Sequence, residues 1–176
     1  MPDRWKPNVT VAAVIERDGQ FLLVEEQTSQ GLRLNNPAGH LDPGETLVQA
    51  CVRETREETA FRFEPQALVG VYLTAPTQAT VPVKASRSKG NITYLRFAFR
   101  GVLGAHDPQQ PLDRGIVRVV WMSLPELRAS RERHRSLVVL QCVEDYLAGA
   151  CYPLQMLTSG FEPPAAGPIP GRSVHG

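Results

Sequence analysis

Between Gly39 and Glu58 the chain reads Gly-His-Leu-Asp-Pro-Gly-Glu, then Thr46 to Val52, then Arg-Glu-Thr-Arg-Glu-Glu. No other stretch constrains the fold as much. Glu54, Glu57 and Glu58 stand at helical spacings i, i+3 and i+4, so a helix here brings three carboxylates to one side. They also fall near its C-terminal end, where the backbone dipole favours cations. Each effect costs from a few tenths of a kcal/mol to about 1 kcal/mol. The arrangement is poor for a bare helix and good for gripping a divalent cation. Mg²⁺ takes oxygen ligands and shares them with substrate phosphates.

The helix is expected to start with Thr46 as N-cap and Gln49 at N3, a capping box. Val48, Cys51, Val52, Thr55 and Thr59 form its expected inward stripe, with Gln49, Arg53 and Arg56 facing away. The acidic trio then lies along the flank of the stripe, between core and solvent. Upstream, residues 9–16 and 21–25 read as two strands of a hairpin around Asp18-Gly19. A short strand is expected at 32–34, and Asn36-Pro37 forces an extended entry to the motif. Downstream, 68–73 reads as a strand and 75–91 as a polar loop. Residues 93–103 alternate, with Leu95, Phe97 and Phe99 on one side and Tyr94, Arg96, Ala98 and Arg100 on the other, polar side. Residues 104–115 read as loop and 117–122 as a buried strand. A second capping box at Ser123–Glu126 opens a short helix, and 137–147 is an apolar helix. This mixture predicts an α/β fold: a mixed sheet with helices on both faces.

The 176 residues suit one domain, expected over 1–157, with a disordered tail at 158–176 rich in Pro and Gly. Nineteen basic and eighteen acidic residues nearly cancel, so no field advertises nucleic acid or a membrane surface. No apolar run approaches the ~20 residues of a membrane span, and the start lacks a signal-peptide core. Cys51, Cys142 and Cys151 form no metal or redox motif and read as reduced thiols, which fits a cytoplasmic protein. Cys51, on the motif helix, reads as a small buried hydrophobe rather than a reactive group.

The pattern Gly-x5-Glu-x7-Arg-Glu-x-x-Glu-Glu over 39–58 resembles the Nudix box. Six fixed positions recur by chance in such a chain with probability on the order of 10⁻⁵. The resemblance implies a Nudix hydrolase with an α/β/α sandwich around a mixed sheet. Two positions depart from the family pattern: Thr55 replaces an aliphatic residue and Ala60 a glycine. Ala60 implies a chain that either avoids a left-handed turn after the helix or accepts strain there. Further segments are similar to the NudJ-type phosphatase subgroup: Lys6–Ala12, Val24–Glu26, Asn35–Leu41, Leu95–Phe97 and Tyr152–Leu154.

That subgroup implies Mg²⁺-dependent removal of phosphate from nucleoside tri- and diphosphates, with Mn²⁺ as a substitute metal. It also implies action on thiamine-pathway pyrophosphates such as hydroxymethylpyrimidine pyrophosphate. By the same resemblance Glu54, Glu57 and Glu58 hold metal, with the backbone of Gly39 close by. Glu54 and Glu57 serve catalysis, Arg53 aims Glu57 from i−4, and Glu45 braces the loop. Arg96 either holds a phosphate or forms a structural ion pair, and His40 either touches substrate or is an incidental loop histidine. Lys84, Arg87 and Lys89 either close over phosphates or are solvated. The partner is a small nucleotide or pyrophosphate, and the protein a monomer or homodimer. Two other readings are a Nudix pyrophosphatase for nucleotide sugars or dinucleotides, and a nucleotide-sensing module without catalysis.

Overall fold

The computed structural model describes residues 6–74 and 92–160. The segment carrying Lys84, Arg87 and Lys89 lies outside the described residues, as does the expected tail from residue 161 onward. Strands β1 (Asn8–Val14), β5 (Ala38–His40), β6 (Phe61–Thr74), β7 (Tyr94–His106) and β9 (Tyr152–Pro153) form a central sheet in the order β5-β1-β7-β6-β9. The β1–β7 pair is parallel and the others antiparallel, so the sheet is mixed. A second, antiparallel sheet contains β2 (Glu16–Arg17), β3 (Gln20–Thr28), β4 (Gly31–Asn35) and β8 (Ile116–Ser123), built around β3.

Two apolar clusters fill the molecule. Val11, Ala13, Leu68 and Phe99 pack with Ala50 and Cys51 of helix α1 (Leu47–Thr59). Ala12, Val69 and Ala98 pack with Leu127 of α2 (Leu124–Ala129) and with Val139, Cys142 and Val143 of α3 (Val138–Leu147). Alternate residues of β1 and β7 thus serve opposite faces, as period-two strands must, and helices cover both. Phe99 has no exposed surface; burying a side chain of this class stabilises by about 1.5–3 kcal/mol.

The expected hairpin is cut short. β1 stays in the central sheet, and only Glu16 and Arg17 pair back onto β3 through the Asp18-Gly19 turn. Ile15, fully buried, is the single residue between the two sheets, and its carbonyl accepts Leu22 N–H. Strand β6 also begins seven residues before its expected start. Pro65 hid this, because a proline inside a run argues against a strand; here it sits at one of three irregularities in the β6–β7 ladder.

Helix α1 begins as expected: Thr46 Oγ1 accepts Gln49 N–H, and Gln49 Oε1 accepts Thr46 N–H. Its inward face differs from the expected stripe. Ala50, Cys51, Glu54, Thr55, Glu58 and Thr59 are buried, while Val52 is 36% exposed. The buried arc is rotated toward the acidic residues, because two of the carboxylates lie inside it. Thr55 accounts for its own departure from the family pattern: its buried hydroxyl donates to Cys51 C=O at 2.7 Å and so is not left unmet. Ala60 adopts φ 60°, and its N–H caps the helix on Arg56 C=O. The chain takes the left-handed turn with a side chain present, which costs about 1–2 kcal/mol relative to the right-handed region.

Candidate metal centre

The last two turns of α1 lie against β5, and glycine at 39 makes this possible. A Cβ on Gly39 would sit 2.0 Å from the Glu54 carboxyl carbon, so the Glu54 carboxylate occupies the space a side chain would fill. One residue earlier, Ala38 N–H donates to Glu58 Oε2 at 2.7 Å. Both glutamates are buried. Burial raises the Glu54 carboxyl above its ordinary value, with the Arg53 guanidinium pulling the other way. Burial pushes Glu58 up to about 8, against the opposing Ala38 hydrogen bond.

Arg53 organises the acidic groups. Its Nε and Nη2 donate to the two oxygens of Glu45 at 3.1 and 2.6 Å, a bidentate fork. Nη1 donates to Glu54 Oε1 at 2.8 Å and Glu57 Oε2 at 3.1 Å, and Nη2 also reaches His40 C=O at 2.9 Å. The Glu45 hydrogen bonds lead the causes that raise the Arg53 pKa, and the same contact lowers that of Glu45. Glu45 also accepts Asp42 N–H at 2.7 Å, so it ties the 42–45 loop to the helix, as a bracing residue should. The i, i+4 contact between Arg53 and Glu57 is present as anticipated.

One carboxylate was not foreseen. Asp113, in the loop between β7 and β8, offers an oxygen that lies with oxygens of Glu54 and Glu57 inside a mutual 4.8 Å. The loop is fastened there by Asp113 N–H donating to Glu57 C=O at 2.9 Å. Oxygens bound to one Mg²⁺ at about 2.1 Å are about 3–4 Å apart, so this donor set fits a hard divalent cation. Of the residues expected at a metal, Glu54 and Glu57 come together, Glu58 turns to the Ala38 amide, and Gly39 forms the wall behind Glu54. The only sequence signal for Asp113 was the Asp113-Arg-Gly115 turn triplet in a loop otherwise rich in Gln and Pro.

The two expected substrate residues lie outside this group. The His40 ring is exposed, tilted against Tyr94 with centroids 6.1 Å apart. Arg96 is half-buried, with its Nη1 closed off from solvent, because α3 residues pack on the same face of β7. Its Nη2 reaches only Asn35 Oδ1 at 3.4 Å, and no ion pair engages it among the described residues. Burial lowers its pKa. Cys51 is buried, and its thiol is pushed far above the usual range by desolvation, which makes it unreactive. Among the described residues no helix is long and apolar enough to cross a membrane.

A NUDIX domain model matches residues 5–141. The curated Phosphatase NudJ of Escherichia coli K12 is 38% identical over 154 residues, spanning 87% of this chain and 92% of that protein. Phosphatase NudJ of Shigella boydii matches to the same extent. A solved NUDIX hydrolase from Nitrosomonas europaea is 49% identical and superposes with a TM-score of 0.77, covering 88% of this chain and 97% of that one. The carboxylate-bearing helix, the mixed sandwich and these relatives agree: the chain belongs to the Nudix hydrolase family and is an enzyme acting on phosphoanhydrides.

Proposed function

We propose that the protein is an Mg²⁺-dependent cytoplasmic phosphatase, with Mn²⁺ as substitute metal, acting as a monomer or homodimer. It releases orthophosphate from nucleoside tri- and diphosphates and from thiamine-pathway pyrophosphates such as hydroxymethylpyrimidine pyrophosphate and thiamine pyrophosphate. The observation that carries this reading is the convergence of Glu54, Glu57 and Asp113 oxygens within 4.8 Å on a helix steadied by Arg53. The likeness to Phosphatase NudJ over 92% of its length supports the product.

In this reading Glu54, Glu57 and Asp113 hold the cation, with Glu58 and the Gly39 backbone beside them. A bound divalent ion neutralises phosphate charge and lowers the pKa of the attacking water. Arg53 keeps the Glu54 and Glu57 carboxylates aimed inward, and one of these glutamates accepts the water's proton. Arg96 and His40 face the substrate's far end.

The test is a panel of GTP, ADP and hydroxymethylpyrimidine pyrophosphate with Mg²⁺ or Mn²⁺, separating orthophosphate from pyrophosphate. Orthophosphate release is expected. No turnover, pyrophosphate alone from GTP, or a strong preference for a nucleotide sugar or dinucleotide would each reject the assignment.

Gly39→Ala tests the geometry. The Glu54 carboxylate is the end of a flexible side chain, so it moves aside rather than unfolding the protein. Stability is expected to change by no more than about 1 kcal/mol. A displacement of this size is expected to lower turnover on the order of 10²-fold. Steady-state kinetics beside a melting curve checks both; unchanged turnover would mean that the position of Glu54 does not matter.

A further inference from the structure

The two edges of the central sheet are finished differently. β5 closes one side and is only three residues long. The other side is the outer edge of β6, and β9 covers it only at Ala67 and Leu68. Toward its start this edge carries Arg62, Glu64 and Pro65, the charges and proline that ordinarily blunt an open strand. From Val69 to Thr74 it carries neither. Among the described residues, no strand, bridge or turn takes up the backbone groups that Val69–Thr74 directs away from β7.

The same stretch is apolar and accessible. Val71 and Leu73 lie opposite Phe97 and Leu95 of β7, share one face, and are 49% and 66% exposed. On the other face Tyr72 is folded back along the strand. A Cβ on Gly70 would stand 2.7 Å from the Tyr72 hydroxyl oxygen, and that hydroxyl donates to Asp145 Oδ2 at 2.8 Å. Where β9 stops, a cavity of about 660 Å³ opens beside the edge, with Gly149 and the exposed Tyr152 and Met156 in its lining.

We propose that this edge binds a second copy of the chain, the β6 strands of the two copies pairing antiparallel over Gly70–Thr74 and joining their central sheets into one. A two-fold axis makes such a contact self-complementary. Residues directly opposite across a ladder point to the same face, so the pair is centred on a residue. Whether that residue is Val71, Tyr72 or Leu73, the Val71 and Leu73 side chains of the two copies meet directly or diagonally. No charged residue lies between Val69 and Thr74, so the symmetric pair opposes no like charges, and the net charge of +1 adds no bulk repulsion. The chain's own segment 161–170 suits the edge poorly, although it follows Met156 closely. Its Pro163, Pro164, Pro168 and Pro170 lack the N–H that a ladder needs. The assignment deepens the oligomeric part of the reading above and does not depend on the substrate.

The test follows the full chain by sedimentation velocity over a concentration series. A reversible dimer is expected. Leu73→Lys, at an exposed position, is expected to keep the melting curve of the monomer. It is expected to raise the dissociation constant on the order of 10²-fold or more, by setting like charges beside the axis. Val71→Cys alone, Leu73→Cys alone and a mixture of the two, each with Cys151→Ser, report the register. One of the three is expected to form a disulfide-linked dimer on air oxidation. Hydrogen exchange at Val69–Thr74 is expected to slow as concentration rises. A wild type that stays monomeric at every concentration overturns the proposal, and so does a dimer that survives Leu73→Lys or forms none of the three crosslinks. Protection of Val69–Thr74 independent of concentration would mean that another part of the same chain holds the edge, which overturns it too. Association is read here without turnover, so none of these outcomes bears on phosphate release.

Discussion

Glu57→Gln is expected to lower orthophosphate release by on the order of 10³-fold or more, the scale of losing a preorganised charge at a reacting centre. Glu57 is half-buried, contacts Arg53, and shares the 4.8 Å group with Glu54 and Asp113. Glutamine keeps the shape and one oxygen but removes the charge that balances a divalent ion. Wild-type protein is expected to melt higher on adding Mg²⁺, by mass action, and Glu57→Gln to lose most of that gain. Asp113→Asn is expected to do the same to a lesser degree, about 10–100-fold in turnover. A stopped assay of phosphate release together with a Mg²⁺ melting series decides the matter. Near-normal turnover and an intact Mg²⁺ shift in Glu57→Gln would mean the cation binds elsewhere.

Without metal, the protein is expected to lose stability as pH rises from about 4.5 to about 8. Glu58 is responsible: burial holds its folded pKa near 8, above the 4.5 of a free glutamate. Between those values the folded state keeps a proton that the unfolded state releases, so unfolding becomes easier with each step in pH. The slope approaches about 1.4 kcal/mol per pH unit and levels off above pH 8. Over the window this is about 4 kcal/mol, or roughly 8–16 °C of Tm at this length. Glu58→Gln removes the ionisation, and its amide oxygen still accepts Ala38 N–H. Its metal-free melting temperature is therefore expected to fall less over the same range, by that amount. Mg²⁺-dependent turnover is expected to be lost in the same variant. Parallel melting curves for the two proteins from pH 5 to 8 would refute the buried-acid account.

Local chemistry was legible in the sequence, and long-range placement was not. The start of α1 was readable because a capping box is settled by four consecutive residues, Thr46 to Gln49. Strand β7 was readable because alternation survives in the bare sequence. Even there, alternation marks the Arg96 side of the strand as polar, and nothing local shows that α3 packs on that face. Asp113 reaches the carboxylates through a hydrogen bond to Glu57, 56 positions earlier in the chain, which no helical or strand period encodes. Val52 was placed inward because apolar residues ordinarily point to the core; Glu54 and Glu58 displaced it, which is how a functional helix departs from a simple amphipathic one. The hairpin failed for a related reason. The Asp18-Gly19 turn is real, with both residues at positive φ, but a turn does not say which sheet the strand before it joins.

The passage through Ile15 has a further consequence. With a single residue joining β1 to the second sheet, there is no slack to absorb an added or missing amino acid. One insertion between Val14 and Glu16 would have to be taken up by sliding β1 along its neighbours, which turns every side chain to the opposite face. Thr10 would lose its register with His40 of β5 and Arg96 of β7, and Val11 and Ala13 would leave the layer under α1. Length changes in this lineage should therefore gather in the outer loops, leaving this junction at constant spacing.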